Sequence, residues 1–347
     1  MFSGTVFAQE PIGGPYTADS NTMLLLHFDG DFTNESSFSE DATGFGNYQF
    51  FNASVDPSLN QSLRLDNDAP GDSAFVTVAD TSYLDLTDAW TIEGWINIFT
   101  FGTTGSHRWV PRLIIKTGDE VFWRPNYWIE MWGSDRFFSF GYHNAAQTAW
   151  PQVNTPNNFM DPGIWYHLAF IRDTTNQVMI NMIHDANRDL IFFNAVPYDP
   201  VNEDPPITTN QDVHIGWAGS RTIASPSNDS WLDGFVDEIR VSNTVRNFSI
   251  PPVITNTTDL ENQTTSVPSY DVDTEVFKVG AAGSVQSVNI MYSADGGATW
   301  QSEPMSQTSG NTYSGSIPGS MPLGTIVDYY IQAEDDGGLQ STDPAGA

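Results

Sequence analysis

The chain contains no cysteine and few basic residues. Its 347 residues include 12 Lys and Arg against 43 Asp and Glu, so the formal net charge is −31. Without cysteine there are no disulfides and no thiolate metal sites. Nucleic acid and anionic membrane surfaces are unsuitable partners, because binding phosphate requires clustered Lys and Arg. No apolar run approaches the roughly 18 residues of a membrane span, so we also expect no membrane insertion.

What the chain does contain is short runs of β-branched and aromatic residues separated by Gly, Asn, Asp and Pro, with no sustained helical period. The sequence therefore predicts an all-β protein. The number of short strands predicted within about 230 residues is typical of one antiparallel two-sheet jelly roll. The predicted strands are Met23 to Phe28, Ser62 to Leu65, Ala74 to Val78, Thr91 to Ile98, Arg112 to Lys116, Tyr127 to Trp132, Arg136 to Tyr142, Trp165 to Arg172, Gln177 to Ile183, Val213 to Trp217 and Gly234 to Ser242.

A domain boundary is predicted at the paired prolines Pro251 and Pro252, which cannot continue a central strand. We therefore divide the chain into a leader at 1–20, a jelly roll at 21–249 and a second domain at 250–347. About seven short strands are predicted in the second domain, a rhythm typical of an immunoglobulin-like or fibronectin type III-like sandwich.

The first ten residues look like the end of a secretory signal, with Val6-Phe7-Ala8 as the cleavage site. We expect an exported protein, secreted or held at the cell surface; the alternative is that the likeness is accidental. The ending at 343–347 is interpreted as a point within a longer parent polypeptide.

Two segments about two hundred residues apart resemble the first and last strands of laminin-G-like jelly rolls in the concanavalin A-like lectin/glucanase superfamily. They are Leu24–Asp31 and Gly234–Phe248. The resemblance extends over residues 21 to 248 and implies that these two strands lie near each other. Such domains serve as sugar binders, adhesion modules and, in some branches, hydrolases, so the fold alone does not choose a function. Further matching segments follow in the expected order: Phe32–Ser37, Ser62–Leu65, Phe75–Val78, Trp90–Asn97, Trp165–Asp173 and His214–Gly216.

The resemblance also implies a calcium ion that joins the two chain ends. It assigns ligand roles to Asp29, Asp31, Ser36 and Asp237. Calcium prefers oxygen ligands from carboxylates, amides and backbone carbonyls, all of which these segments supply. The alternative is that Asp29-Gly30-Asp31 is only a turn and Asp237 only a surface residue.

A sugar-binding face is predicted on the strand Tyr127–Trp132, where alternation places Trp128, Glu130 and Trp132 on one face. Indole rings can cover the C–H face of a pyranose, and a carboxylate can bind its hydroxyls. Glu93 and Trp95 are expected to extend this face, with Trp109 at its rim. The alternative is that loop 99 to 126 folds over the face and buries the tryptophans.

Catalysis has less support from the sequence. Retaining glucanases of the superfamily carry Glu-x-Asp-x-x-Glu on one strand, and this chain has no such run. Asp237 and Glu238 are adjacent and are expected to point to opposite faces; Glu93 and Glu130 could still meet as acid and base.

The sequence therefore predicts a non-catalytic, calcium-binding recognition or adhesion module for a polysaccharide or a cell-surface protein. Two alternatives stay open. One is a self-assembling structural subunit of an extracellular layer, fibre or sheath. The other is a glycoside hydrolase or lyase that uses the jelly-roll cleft.

Overall fold

The structure is a computed structural model that describes residues 11–52, 54–69, 72–102, 110–116, 124–217, 231–248, 250–262, 267–279, 284–319 and 321–344. Within these ranges the regular structure is strands β1 to β23 and two three-residue 3₁₀ turns, Pro57–Leu59 and Ser82–Leu84. The all-β prediction is confirmed. No helix in the described part of the chain has the length and apolar character needed to cross a membrane.

The chain divides into two compact units, the first within Glu10–Arg246 and the second within Asn247–Ala347. The division lies three residues before the predicted boundary. Each unit has its own hydrophobic core.

The first unit is a sandwich of two antiparallel sheets. The first sheet has the order β13-β12-β11-β6-β15-β4-β3, with β1 also paired to β15, and the second sheet has the order β10-β9-β8-β7-β14-β5-β2. The strands are β1 (Thr22–Leu26), β2 (Thr43–Phe45), β3 (Tyr48–Phe51), β4 (Ser62–Leu65), β5 (Phe75–Val78), β6 (Trp90–Ile98), β7 (Arg112–Lys116), β8 (Tyr127–Trp132), β9 (Phe137–Gly141), β10 (Gln152–Asn154), β11 (Trp165–Asp173), β12 (Val178–His184), β13 (Leu190–Pro197), β14 (Val213–Ile215) and β15 (Gly234–Ser242).

Alternation along the strands determines which side chains form the core between the sheets. On β6 the core receives Trp90, Ile92 and Ile96, and on β8 it receives Ile129 and Met131. Residues between these positions point away from the opposite sheet, because successive side chains of a strand point to opposite faces. We call these sides the outer faces of the two sheets.

The first and last strands of the unit are neighbours, as the resemblance implied. Leu24 pairs with Val241 and Leu26 with Ile239 in the antiparallel β1/β15 ladder. Strand β15 also pairs with β6 on its other side and, near its start, with β4.

A β-bulge interrupts β15 between Asp237 and Arg240, where Glu238 has a φ of 50°. The Glu238 carboxylate accepts the backbone N–H of Tyr16 and lies 2.6 Å from Nδ1 of His27. Asp237, paired with Trp95, accepts the hydroxyl of Ser54. Both carboxylates therefore lie on the outer side of the first sheet, and the expectation that they point to opposite faces is wrong, because a bulge shifts the alternation by one residue.

The second unit contains two four-stranded antiparallel sheets, β16-β17-β21-β20 and β19-β18-β22-β23. Val272, Val276, Val288, Ile290 and Ile331 are central to its core. The likeness to an immunoglobulin or fibronectin type III domain stays a prediction. The strands are β16 (Val253–Thr255), β17 (Ser269–Phe277), β18 (Val285–Ser293), β19 (Gln301–Pro304), β20 (Ser306–Ser309), β21 (Thr312–Pro318), β22 (Asp328–Asp335) and β23 (Gln340–Asp343).

Candidate functional site

The three residues predicted to form a sugar-binding face do share the outer face of the second sheet. Strand β8 lies between β7 and β9, and Trp128, Glu130 and Trp132 alternate with core residues along it. On the neighbouring strand β9, Trp132 pairs with Phe137 and Trp128 with Gly141. The predicted alternation on this strand therefore agrees with the structure. The exposed fraction of each side chain then decides whether it can contact a ligand.

Trp128 is buried, with 2% of its surface exposed. Its ring lies flat over Gly141, where a Cβ would come within 2.3 Å of the indole Cζ2. The ring of His143 covers it further, at 5.7 Å between centroids. Trp128 is therefore a packing residue of this face and has no free ring surface for a ligand.

Glu130 is also buried, and Arg112 Nη2 lies 2.9 Å from its carboxylate. The indole N–H of Trp132 donates to the same carboxylate at 3.0 Å. Trp132 itself is half-buried and parallel to the ring of Phe137, with centroids 5.9 Å apart and an interplanar angle of 6°. Of the three predicted residues, Trp132 is thus the one that is not fully buried.

An aromatic cluster at the other edge of the same outer face was not identified from the sequence. Phe45 on β2, 43% exposed, stacks on Phe75 of β5 at 4.9 Å and 12°. Phe75 in turn contacts Trp217 at 4.7 Å, and Trp217 is parallel to Trp231 at 5.0 Å and 4°. The alternation of Phe75-Val76-Thr77-Val78 is a signal that could have placed Phe75 opposite the core.

Glu93 and Trp95 do not extend this face, because β6 belongs to the other sheet. They lie on the outer face of the first sheet beneath residues 12–16, which we call the N-terminal strap. The Trp95 indole donates to the carbonyl of Gly13 at 2.7 Å, and Trp95 is fully buried. Trp109, predicted at the rim, lies outside the described residues.

Glu93 is the centre of a buried ionic network. Its carboxylate accepts two N–H groups of Arg240, at 2.9 and 2.6 Å, and the hydroxyl of Tyr16 at 2.6 Å. Burial by itself would raise the pKa of Glu93, but Arg240 and the hydrogen bonds from His167 and Tyr16 outweigh burial and hold it at about 2. Glu93 is therefore a paired structural anion.

The acid–base pair considered from the sequence is not assembled. Glu93 lies on the outer face of the first sheet and Glu130 on the outer face of the second, with the hydrophobic core between the sheets. Acid and base of a glycosidase must flank one bond, with carboxyl groups about 5 to 9.5 Å apart. Two carboxylates on opposite outer sides of a sandwich cannot do this.

Two of the four predicted calcium ligands lie on the same side of the molecule. Asp237 is fully buried, and burial raises its pKa to about 9; Glu238 and Asp29 add to the rise, while the hydrogen bond from Ser54 opposes it. Asp29 accepts the side-chain N–H of Asn60 at 2.9 Å. Ser54 and Asn60 also line a surface cavity of about 420 Å³, together with Asn52, Asp56 and Pro57. A buried carboxylate beside a second one, with neutral oxygens around them, fits the ligand chemistry of calcium.

The other two predicted ligands are used elsewhere. Ser36 donates to the carbonyl of Thr22, which pairs with Ser242 at the end of β15, five residues beyond Asp237. Asp31 accepts the backbone N–H of Thr33 in an exposed turn. The four residues are thus not assembled in one place. Among the described residues, no group of three or more His, Asp or Glu side chains is arranged to hold a metal.

Comparison with known proteins gives distant likenesses. No curated protein matches the sequence. Among solved structures, the binding domain of botulinum neurotoxin serotype G has a TM-score of 0.43 at 9% identity, covering 93% of this chain and 88% of that chain. The CBM40 of the Ruminococcus gnavus IT-sialidase, bound to α2,3-sialyllactose, has a TM-score of 0.34 at 13% identity, covering 46% and 78%. With identities and TM-scores this low, neither likeness indicates what this chain binds.

The family comparison is more decisive. A match to the family described as concanavalin A-like lectin/glucanases superfamily covers residues 70–248, more than half of the chain. It spans strands β5 to β15, the part of the first unit that supplies most of both sheets. This chain therefore belongs to the concanavalin A-like lectin/glucanases superfamily.

Proposed function

We propose that the first unit is a non-catalytic module that binds polysaccharide on the outer face of the second sheet. The observation that carries this proposal is the parallel Trp132 and Phe137 ring pair, which is half-buried and has the Glu130 carboxylate held beside it. Aromatic ring surface beside a few fixed polar groups is the usual lining of a site for a small neutral ligand. Export and a role in adhesion or recognition stay predictions from the sequence.

The state of the carboxylates supports binding over hydrolysis. A general acid needs a raised pKa, whereas Arg240 and its hydrogen-bonded neighbours keep Glu93 ionised. Glu130 is engaged by Arg112 and Trp132. Both carboxylates are therefore held by ion pairs and hydrogen bonds within the fold, as structural charged groups are.

We also propose that Asp237 and Asp29 hold a calcium ion, with Ser54 and Asn60, which contact these two carboxylates, supplying neutral oxygens. Calcium there would neutralise a buried carboxylate and join β15 to the segment that contains Ser54 and Asn60. This role is structural. The ion would stabilise the pairing of β15 within the first sheet.

The experiment is depletion of the purified chain from solution by insoluble polysaccharides, in calcium and in chelator. We expect selective depletion that Trp132→Ala reduces, because the variant removes the ring surface, while Glu130 keeps its ion pair with Arg112. Trp300→Ala, at a 41% exposed tryptophan of the second unit, is the matched control and should be depleted like the parent chain. A folded parent chain that no polysaccharide depletes would contradict the proposal.

A further inference from the structure

A third group of aromatic side chains lies on the outer face of the first sheet, beside the N-terminal strap. It consists of Phe51, Phe99, Trp165 and Phe235, which we call the Phe235 platform. Phe51 and Phe99 are 40% and 37% exposed, and Trp165 and Phe235 are half-buried. None of these residues belongs to the site described above, and four different segments of the chain contribute them.

The platform is centred on Phe235. Trp165 is nearly parallel to Phe235, with centroids 5.9 Å apart and an angle of 18°. Phe51 and Phe99 stand edge-on to it at 5.8 and 5.2 Å, with angles of 74° and 89°. The result is a stacked ring pair with two further rings edge-on to Phe235, and all four residues keep part of their surface exposed.

The backbone beneath the platform is closely packed. Trp165 and Phe235 are both cross-strand partners of Asn97, on either side of β6. A Cβ on Gly234 would lie 2.1 Å from the carbonyl oxygen of Asn97, so glycine is required for β15 to approach β6 at this point. The rings are thus held on paired strands, which keeps their relative positions fixed before any ligand arrives.

Asn97 adds an unusual polar group under the rings. It is 95% buried, and its side-chain N–H donates to the carbonyl of Gly163 at 3.1 Å. Its Oδ1 has no hydrogen-bond partner among the residues that the structure describes. Because this oxygen is itself buried from solvent, it belongs to the closed base of the platform and is not a ligand contact.

The charged groups at the rim select against acidic ligands. The Arg64 guanidinium lies over the Phe99 ring at 4.7 Å and forms ion pairs with Asp233 at 2.6 Å and Asp66 at 3.1 Å. One cation faces two carboxylates, so the rim is net negative, as is the whole chain at −31. An anionic ligand would be repelled, whereas a neutral hydroxylated one can bind Asp66 and Arg64.

We propose that the Phe235 platform is a second polysaccharide-binding site and that its ligand is a neutral polysaccharide, with a pyranose ring against Trp165 and Phe235. The inference rests on the proposed function and adds a site and a ligand class to it. The C–H groups of a pyranose face match the negative faces of the rings, and the hydroxyls match the polar rim. Because the platform and Trp132 lie on opposite outer faces, one molecule can contact two polysaccharide chains.

The test uses the full chain with particles of neutral polysaccharides (cellulose, chitin, mannan) and of acidic ones (alginate, polygalacturonate). Trp165→Ala and Phe51→Ala, checked by circular dichroism, should each weaken binding to a neutral polysaccharide by about fivefold or more, the effect of losing a central aromatic contact. Trp300→Ala should bind like the parent chain. Two variants are used so that a folding defect in one does not decide the result.

The outcomes separate this inference from the proposed function. If the parent chain binds no polysaccharide, both fail. If the parent chain binds and Trp132→Ala weakens binding while Trp165→Ala and Phe51→Ala do not, only the platform fails. Preferential binding to the acidic particles overturns the neutral ligand class. A concentration-dependent dimer in sedimentation velocity that Trp165→Ala abolishes assigns the platform to self-association instead.

Discussion

At the scale of single residues, the buried charges of the first unit are paired, and breaking a pair should be costly. Arg240→Ala would leave Glu93 buried without its main cation. Breaking a buried ion pair on one side costs about 3 to 5 kcal/mol. We expect a loss of that size in the free energy of unfolding, measured by urea denaturation.

Arg136→Ala is the control for this prediction. Arg136 forms an ion pair with Asp161 at 3.2 Å, and both side chains are substantially exposed. Exposed pairs contribute little to stability. Equal effects of the two variants would contradict the view that the Glu93 network is a structural element of the fold.

Because His184 is buried, the free energy of unfolding should depend on pH. Burial, with the adjacent His167, lowers its pKa from 6.5 to about 3. Because the folded pKa lies below the unfolded one, this contribution to stability is fully present above about pH 6.5 and is lost as the pH falls toward 3. His184→Gln should therefore flatten the acid side of the curve, with a difference of roughly 3 kcal/mol between pH 7 and pH 4.

The measurement is urea denaturation of both proteins at intervals from pH 4 to pH 7.5. Titrating groups that do not contact His184 act in both chains and cancel in the difference, which therefore reports on His184 together with its contact to His167. Parallel pH curves for the two proteins would show that His184 is not kept neutral by burial.

Calcium should raise the melting temperature through Asp237. A ligand at a hundred times its dissociation constant stabilises a fold by about 2.7 kcal/mol. We expect calcium to raise the melting temperature of the parent chain, as measured by differential scanning fluorimetry. The melting temperature of Asp237→Asn should be the same with and without calcium. Ser36→Ala, at a residue that the structure places away from Asp237, should keep the response. A response that survives Asp237→Asn would rule out this site.

The sequence predicted correctly which side chains of a strand share a face. It did not predict which of them are buried by other segments of the chain. The period of two placed Trp128, Glu130 and Trp132 on one face. It could not show that Gly141 would allow Trp128 to lie flat, nor that the strap would bury Trp95. Trp128 meets Gly141 on the neighbouring strand β9, and Trp95 meets the N-terminal strap 82 residues away, so no local pattern contains either contact.

At the scale of elements, the close approach of β15 and β6 is a specific requirement. Gly234→Ala would put a methyl group against the Asn97 carbonyl, and overpacking of this kind costs about 1 to 3 kcal/mol. Gly315→Ala in the second unit, where the nearest heavy atoms lie at 3.0 Å, is a milder control. We expect a larger fall in the urea midpoint for Gly234→Ala, and equal midpoints would contradict the close approach.

The elements themselves were predictable where burial was high. Strands β4, β7, β8 and β15 have the predicted limits, because nearly all of their residues are buried and β-branched, leucine or aromatic residues recur in them. Strands β2, β3, β10 and β13 were missed. They lie at or near the sheet edges and have mostly half-exposed or exposed residues, so their composition does not distinguish them from loops.

At the scale of the whole molecule, the sandwich separates its polar chemistry onto two opposite outer faces. This explains why Glu93 and Glu130, which the sequence left open as an acid–base pair, do not meet. It also gives both outer faces of the first unit aromatic side chains, around Trp132 and Phe75 on the second sheet and around Phe235 on the first sheet. Sheet membership is a property of the whole topology, and the spacing of residues along the chain does not determine it.

The most direct test of polysaccharide binding is affinity electrophoresis in native gels with and without a soluble neutral polysaccharide. With a net charge of −31 the chain migrates readily toward the anode, so retardation is easily measured. We expect the polysaccharide to retard the parent chain, while the double variant Trp132→Ala/Trp165→Ala, shown to be folded by circular dichroism, has the same mobility in both gels. A parent chain that no neutral polysaccharide retards, or a double variant retarded as strongly as the parent, would contradict this expectation.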